Sequence, residues 1–302
     1  MDKNLVQNDA RLLCDELPHV GPLALGLWRY TNTDIGHATN LLEAAIDLGI
    51  NLVDNADVYG LDWGGNGFGA CEELLGQVLS GSPELRDQIV LATKGGIQPP
   101  IPYNSSSEYL RKACEDSLRR MNVEQIDLYL VHRPDIYTHP AEVAATLDSL
   151  VEEEKVIALG VSNYSPGQIK ALQEHLRTPR IAVQPEFSAV HLNPLRDGIF
   201  DLAVERDLVP MAWSPLAGGS LATGEGIPTE LAAVLDDLAS RESVDRATIA
   251  IAFVLSHPTS PIAILGTQTI ERLEKLSEAL KVSLTRADVY KIIQASEGVP
   301  LP

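Results

Sequence analysis

Apolar residues along this chain come in two alternating rhythms. Short continuous apolar runs lie at Pro22–Trp28, Leu52–Asn55, Ile89–Thr93, Asp127–Val131, Val156–Val161, Ile181–Val183, Leu208–Trp213 and Ile262–Leu265. Runs of this length and continuity suit strands of a parallel sheet covered on both faces. Between them apolar residues recur at helical spacing. Asp34 caps a predicted helix with apolar positions Ala38, Leu41, Leu42, Ala45, Ile46 and Leu48, and Gly49 ends it. Further helices are predicted over Glu72–Leu79, Ser107–Met121, Ala141–Glu153, Pro194–Glu205, Arg246–Ser256, Ile270–Leu280 and Arg286–Ala295. Ser165-Pro166 is an N-cap followed by proline at the first helical position, opening a helix that runs to about His175. Residues 1–20 are polar and predict a loose segment or a short cover, and a longer insertion separates the run ending at Trp213 from the helix at Arg246.

The eight apolar runs alternate with helices, and no linker-like composition interrupts them. That pattern predicts an α/β fold, one (β/α)8 TIM barrel over residues 1–302, with its active site at the C-terminal ends of the strands. The rival is an open doubly wound sheet. Its Gly-x-Gly-x-x-Gly signature belongs directly after the first strand, and this chain has none there. The glycine-rich stretch Gly64–Gly69 follows the second strand instead and reads as a flexible active-site loop.

Bulk composition narrows the partners. An apolar fraction of 45% and a charged fraction of 22% fit a globular protein with a large core. A formal charge of −19 argues against nucleic acid or an anionic membrane surface, and means that any anionic cofactor is held by local groups against the overall field. Cys14, Cys71 and Cys114 follow neither a disulfide nor a metal spacing, so no metal is expected and a reducing cytoplasm is the expected setting. The polar N-terminus does not resemble a signal peptide, and no apolar run is long enough to span a bilayer.

Candidate chemistry sits where strands end. Leu52-Val53 runs into Asp54 and, after a polar turn, Tyr59; Ile89–Thr93 runs into Lys94; Leu128–Val131 runs into His132. Alone, each would be a cap, a packing residue or a solvated charge. In a barrel, strands two, three and four are neighbours, and all four groups meet at one mouth. An ammonium beside a phenol stabilises phenolate and eases proton release, and an adjacent carboxylate keeps the ammonium charged. Neutral His132 would hold the substrate oxygen. Together they form an acid and an oxyanion site for C=O reduction, and the missing hydride source calls for a nicotinamide cofactor.

With these motifs in order, the chain resembles the aldo-keto reductases over roughly Pro22 to Ala295, in their bacterial NADPH-dependent oxidoreductase branch. The matching segments are Val53–Gly60, Thr93-Lys94, Leu130–Pro134, Gly160–Tyr164, Gln184 and Trp213–Gly219. The resemblance implies a barrel binding NADPH across its mouth, with NADH possible, and a small carbonyl compound as substrate. It implies that Ser162, Asn163 and Gln184 hold the nicotinamide carboxamide and that Phe187 stacks on the ring. Ser214, Leu216 and Gly218 would meet the pyrophosphate, and Thr267, Gln268 and Arg272 the adenosine end, where Gly266 replaces the lysine many members carry. Trp28 and Trp63 are expected pocket walls, as is Tyr103, and Ile97–Ser107 is expected to loop over the mouth. A short tail after Ser296 predicts low selectivity among aldehydes and ketones. Two other readings use the same barrel: a cofactor-binding sensor or accessory subunit with little turnover, and a Schiff-base aldolase using Lys94. An aldolase lysine must be neutral to attack, which a neighbouring Asp54 opposes.

Overall fold

The computed structural model describes residues 3–31, 34–62, 64–178 and 181–300. Its centre is a closed barrel of eight parallel strands in chain order. They are β1 (Leu23–Gly26), β2 (Leu52–Asp54), β3 (Val90–Gly95), β4 (Ile126–Val131), β5 (Val156–Ser162), β6 (Ala182–Gln184), β7 (Val209–Ala212) and β8 (Ile262–Leu265). Around them run α1 (Ile35–Asp47), α2 (Ala70–Gly81), α3 (Ser107–Met121), α4 (Pro140–Glu152), α5 (Pro166–Gln173), α6 (Ile199–Arg206), α7 (Ser220–Thr223), α8 (Thr229–Glu242), α9 (Arg246–Leu255), α10 (Ile270–Ser277) and α11 (Arg286–Glu297). The Asp34 side chain accepts from the His37 amide at the start of α1, and Ser165 forms a capping box with Gln168 at the start of α5.

Successive residues of a strand point to opposite faces, and that alternation builds two layers. Ala24, Leu52, Val90, Ala92, Leu128, Leu130, Ala158, Ala182, Val209, Met211, Ile262 and Ile264 fill the barrel interior. Leu25, Val53, Leu91, Tyr129, Val131, Leu159, Val161, Val183, Ala212, Ala263 and Leu265 face the helices. Continuing the inward parity to the strand ends gives Asp54, Lys94, His132, Ser162, Gln184 and Trp213, with glycine at positions 26 and 266. The alternation thus stacks a polar layer directly on the apolar fill.

The other end of the barrel is closed. Leu13, Leu17 and Val20 are buried against the interior set, each contributing about 1.5–3 kcal/mol. Arg11 and Val20 exchange two backbone hydrogen bonds, and the Arg11 guanidinium donates to the Thr259 and Ser260 carbonyls. Over residues 3–20, the described part of that segment, the cover is the correct reading.

Two predicted elements differ. The helix expected over Pro194–Glu205 is a short 3-10 turn at Asn193–Leu195 followed by α6, because Gly198 at φ +87° turns the chain and the Asp197 carboxylate accepts from the Ile199 amide. The insertion after β7 carries α7 and α8, and α8 buries Leu231, Val234, Leu235 and Leu238 against α9 and α11.

Candidate active site

Asp54 and Lys94 lie at the ends of β2 and β3, fully inside the protein, with the Lys94 Nζ 2.7 Å from Asp54 Oδ2. An ammonium has three N–H donors. The other two go to the Asn55 carbonyl at 2.7 Å and the Tyr59 hydroxyl oxygen at 3.1 Å. Tyr59 therefore accepts from the ammonium and keeps its own O–H for whatever stands in the cavity. The second Asp54 oxygen accepts from Gln184 Nε2 at 2.9 Å, which ties β6 to the same cluster. His132 follows β4, its amide donating to Gly95 O, and its ring meets the Tyr59 ring edge-on at 5.7 Å between centroids.

Electrostatics divide the roles. Burial alone would lower the Lys94 ammonium, but the Asp54 carboxylate and Tyr59 outweigh it and hold its pKa above the ordinary lysine value. A charged lysine cannot attack a carbonyl, which counts against the aldolase reading. Burial, then the charges of Lys94 and Arg133, push His132 well below the ordinary histidine range, so it is a neutral imidazole. Its Nδ1 is buried without a partner. For Tyr59 the sequence-based expectation is corrected. Burial lifts the phenol above its ordinary value, and the pull of the ammonium in the other direction does not overcome it. The phenol is thus held protonated, ready to give a proton to a stronger base.

Behind this cluster, Thr93 on the outer face of β3 donates to Glu72 Oε1 at 2.5 Å, and Arg120 of α3 pairs with Glu72 Oε2 at 2.7 Å. The described part of the glycine-rich stretch does not line the cavity, contrary to the loop expected from sequence. It folds back instead. Gly67 donates to the Gly60 carbonyl, Cys71 donates to the Tyr59 carbonyl, and a Cβ on Gly65 would stand 2.3 Å from the Gly60 oxygen. Its glycines allow a tight turn that supports Tyr59.

From this cluster a cavity of about 1130 Å³ runs across the barrel mouth to α10. Its wall includes Asp54, Tyr59, His132, Ser162, Asn163 and Gln184 at one end and Gly266, Thr267, Gln268, Thr269, Arg272 and Lys275 at the other, with Ser214, Leu216, Gly218 and Gly219 between. Ser214, Ala217, Gly218 and Gly219 all have positive φ, and no atom lies within 4 Å of where a Cβ on either glycine would stand. That bared backbone suits close approach of a ligand. Asn163, itself at φ +61°, donates to His132 O and Ser162 Oγ. Trp28, Ile97, Pro99, Pro102 and Tyr103 form the outer wall near Tyr59, in line with the expected loop over the mouth. Trp63 lies outside the described residues.

Phe187 is a second correction. It is 1% exposed and packs edge-on to Phe200 at 5.0 Å and beside Phe253 at 5.7 Å, in the layer between barrel and helices. Gln184 points inward, and Phe187, an odd number of residues further on, points outward. The aromatic ring at the cavity is Trp213, whose Nε1 donates to Asn163 Oδ1 at 3.0 Å. The sequence signal for it was its parity with Val209 and Met211 on β7. Arg29, Arg133 and Lys275 are further cavity residues that the strand-end reasoning missed.

Comparison with known proteins gives consistent matches. A family model described as "Aldo/keto reductase family" matches residues 22–297. A protein of Novosphingobium aromaticivorans named 6-dehydroglucose reductase is 45% identical over 286 residues, 94% of each chain. One of the same name from Agrobacterium fabrum is 33% identical, covering 95% of this chain and 97% of its own. Among solved structures, an aldo/keto reductase of Klebsiella pneumoniae in complex with NADP and acetate superposes with a TM-score of 0.77 over 95% of both chains, at 24% identity.

Proposed function

The chain belongs to the aldo/keto reductase family, an oxidoreductase family, and from that premise we propose that it reduces a sugar-type aldehyde to the alcohol with NADPH, Tyr59 being the proton donor. The observation that carries this reading is the Lys94 ammonium, bonded to Asp54 at 2.7 Å and to the Tyr59 oxygen at 3.1 Å.

The cavity fits a dinucleotide in shape and chemistry: long, bare of side chains at Gly218 and Gly219, and carrying cations at its far end. Ser162, Asn163 and Gln184 would hold the carboxamide. Their own bonds leave a second lone pair on the Asn163 and Gln184 side-chain oxygens. Trp213, rather than Phe187, offers a π face to the nicotinamide. Ser214, Leu216 and Gly218 would take the pyrophosphate on backbone amides. Thr267, Gln268, Arg272 and Lys275 would take the adenosine end, and the two cations there favour NADPH over NADH. When bound, the reduced nicotinamide supplies a hydride to the substrate carbonyl carbon.

The protein's part is charge and proton placement. Neutral His132 donates to the substrate oxygen and fixes its position. Tyr59, bonded from behind by Lys94, points its proton at the same oxygen as charge grows there. The Lys94 charge stabilises the phenolate left behind, and Asp54 keeps that charge in place. Burial matters here because each interaction is stronger in a dry site.

The substrate class rests on the relatives named 6-dehydroglucose reductase; that compound is glucose with an aldehyde at carbon six. The test follows loss of reduced-nicotinamide absorbance against a panel of aldehydes, ketones and aldehydo sugars. Turnover fastest with hydroxylated aldehydes is the expected result. NADPH binding without oxidation by any carbonyl compound would overturn the reading in favour of an accessory role.

A further inference from the structure

Arg133 directly follows His132, lines the cavity and is half buried. Among the described residues its side chain makes no hydrogen bond and no ion pair. Its one recorded contact is a cation–π approach, the guanidinium carbon lying 5.8 Å from the centre of the Trp213 ring. That ring is itself fixed by Asn163, which bonds back to the His132 carbonyl. Glu186, the carboxylate whose field Arg133 feels, is paired with His191 at 3.2 Å. A planar fork of five N–H donors is therefore held in place beside the candidate reaction centre with no protein acceptor. Those donors open onto the cavity and are free to bond a ligand acceptor.

On the other side of β3, in the loop after β2, Asp62 also lines the cavity, and its carboxylate makes no hydrogen bond to the described protein. Trp28 lines the same cavity, its ring 6.5 Å from that of Tyr59. A donor fork, a free acceptor and an aromatic face are complementary to a chain of C–OH groups. Hydroxyl oxygens accept from the guanidinium, a hydroxyl proton goes to the carboxylate, and the C–H face lies on the ring. An anionic substrate would face Asp62 and the net charge of −19.

Resting on the reductase reading above, we propose that Arg133 and Asp62 form a hydroxyl-recognition subsite that selects polyhydroxylated aldehydes over unsubstituted ones. The selection is made at the carbons next to the reacting carbonyl.

The test compares kcat/KM for glyceraldehyde and for propanal, which has the same carbon skeleton without hydroxyls. It uses the full chain with saturating NADPH, as wild type, Arg133→Met, Arg133→Lys and Asp62→Asn. Met keeps an apolar stem on Trp213 and removes every donor. The glyceraldehyde-to-propanal ratio should fall about 10- to 100-fold in Arg133→Met, the loss of one or two charge-assisted hydrogen bonds. Arg133→Lys and Asp62→Asn should fall less. NADPH affinity, measured by tryptophan quenching, should stay at the wild-type value. An unchanged ratio in Arg133→Met, with both substrates slowed equally, overturns the subsite and leaves Arg133 as a prop for Trp213. A wild-type chain that oxidises NADPH with neither aldehyde sinks the underlying reductase reading, a different signature.

Discussion

Replacing Asp54 with asparagine keeps the shape of the buried cluster and removes its negative charge. Lys94 and the Asp54 side chain are 0% and 3% exposed, so the remaining ammonium has no water to turn to. Breaking a buried pair by removing one partner destabilises by about 3–5 kcal/mol, mostly from the charge left behind. Removing that charge as well should recover part of the loss. Asp54→Asn/Lys94→Met is therefore expected to be less destabilised than the sum of the single variants, with a coupling of about 3 kcal/mol. The pH dependence carries a sign. In the wild type the folded pKa of Lys94 is raised, so its contribution is fully present below the ordinary lysine value and is lost as pH rises through the folded value. In Asp54→Asn the largest opposing group is gone, only Tyr59 still acts against burial, and the folded pKa falls. That variant should regain stability as pH climbs toward about 10.4, the ordinary value. Urea melts of the four proteins between neutral and alkaline pH measure all of this. Additive single-variant effects with a pH-independent deficit would refute the reasoning.

Other expectations follow from the same geometry. Arg120→Met orphans the buried Glu72 carboxylate and should destabilise the fold by about 3–5 kcal/mol; equilibrium denaturation checks it, and adding Glu72→Gln should restore part of the loss. Arg272→Ala should weaken NADPH binding by about 10- to 150-fold, the worth of one charge-assisted bond, while NADH binding holds; fluorescence titration with both cofactors separates the two. His132 is held neutral well below the ordinary histidine value, so a pH–rate profile for kcat should show no histidine limb near about 6.5.

Much of the architecture was legible because a parallel barrel writes itself as short apolar runs separated by helical periodicity. Ile262–Leu265 and Ser107–Met121 fall on the observed bounds of β8 and α3. The four strand-end groups were legible for a related reason: ionisable residues directly after a buried run have few places to go but the mouth. Phe187 and Trp213 show what position alone misses. Both are aromatics just past a strand, and only strand parity separates the outward ring from the inward one. Helix α8 carries a regular apolar stripe, but it packs on α9 and α11 rather than between two strands, so the alternation gives no place for it. The direction of the Tyr59 shift was beyond sequence because it sets burial against an ammonium 3.1 Å away, and only the structure shows which of the two prevails. Arg133 was hidden for the opposite reason. Its significance is that, among the described residues, its guanidinium meets a ring and no hydrogen-bond acceptor.

The central claim is that the Tyr59 phenol gives the proton that completes carbonyl reduction. The direct measurement is single-turnover oxidation of bound NADPH by glyceraldehyde in Tyr59→Phe beside a cofactor titration of the same protein. The account predicts wild-type NADPH affinity and a rate lower by at least about 100-fold, the scale of a lost general acid. A Tyr59→Phe chain that turned over at the wild-type rate would contradict it.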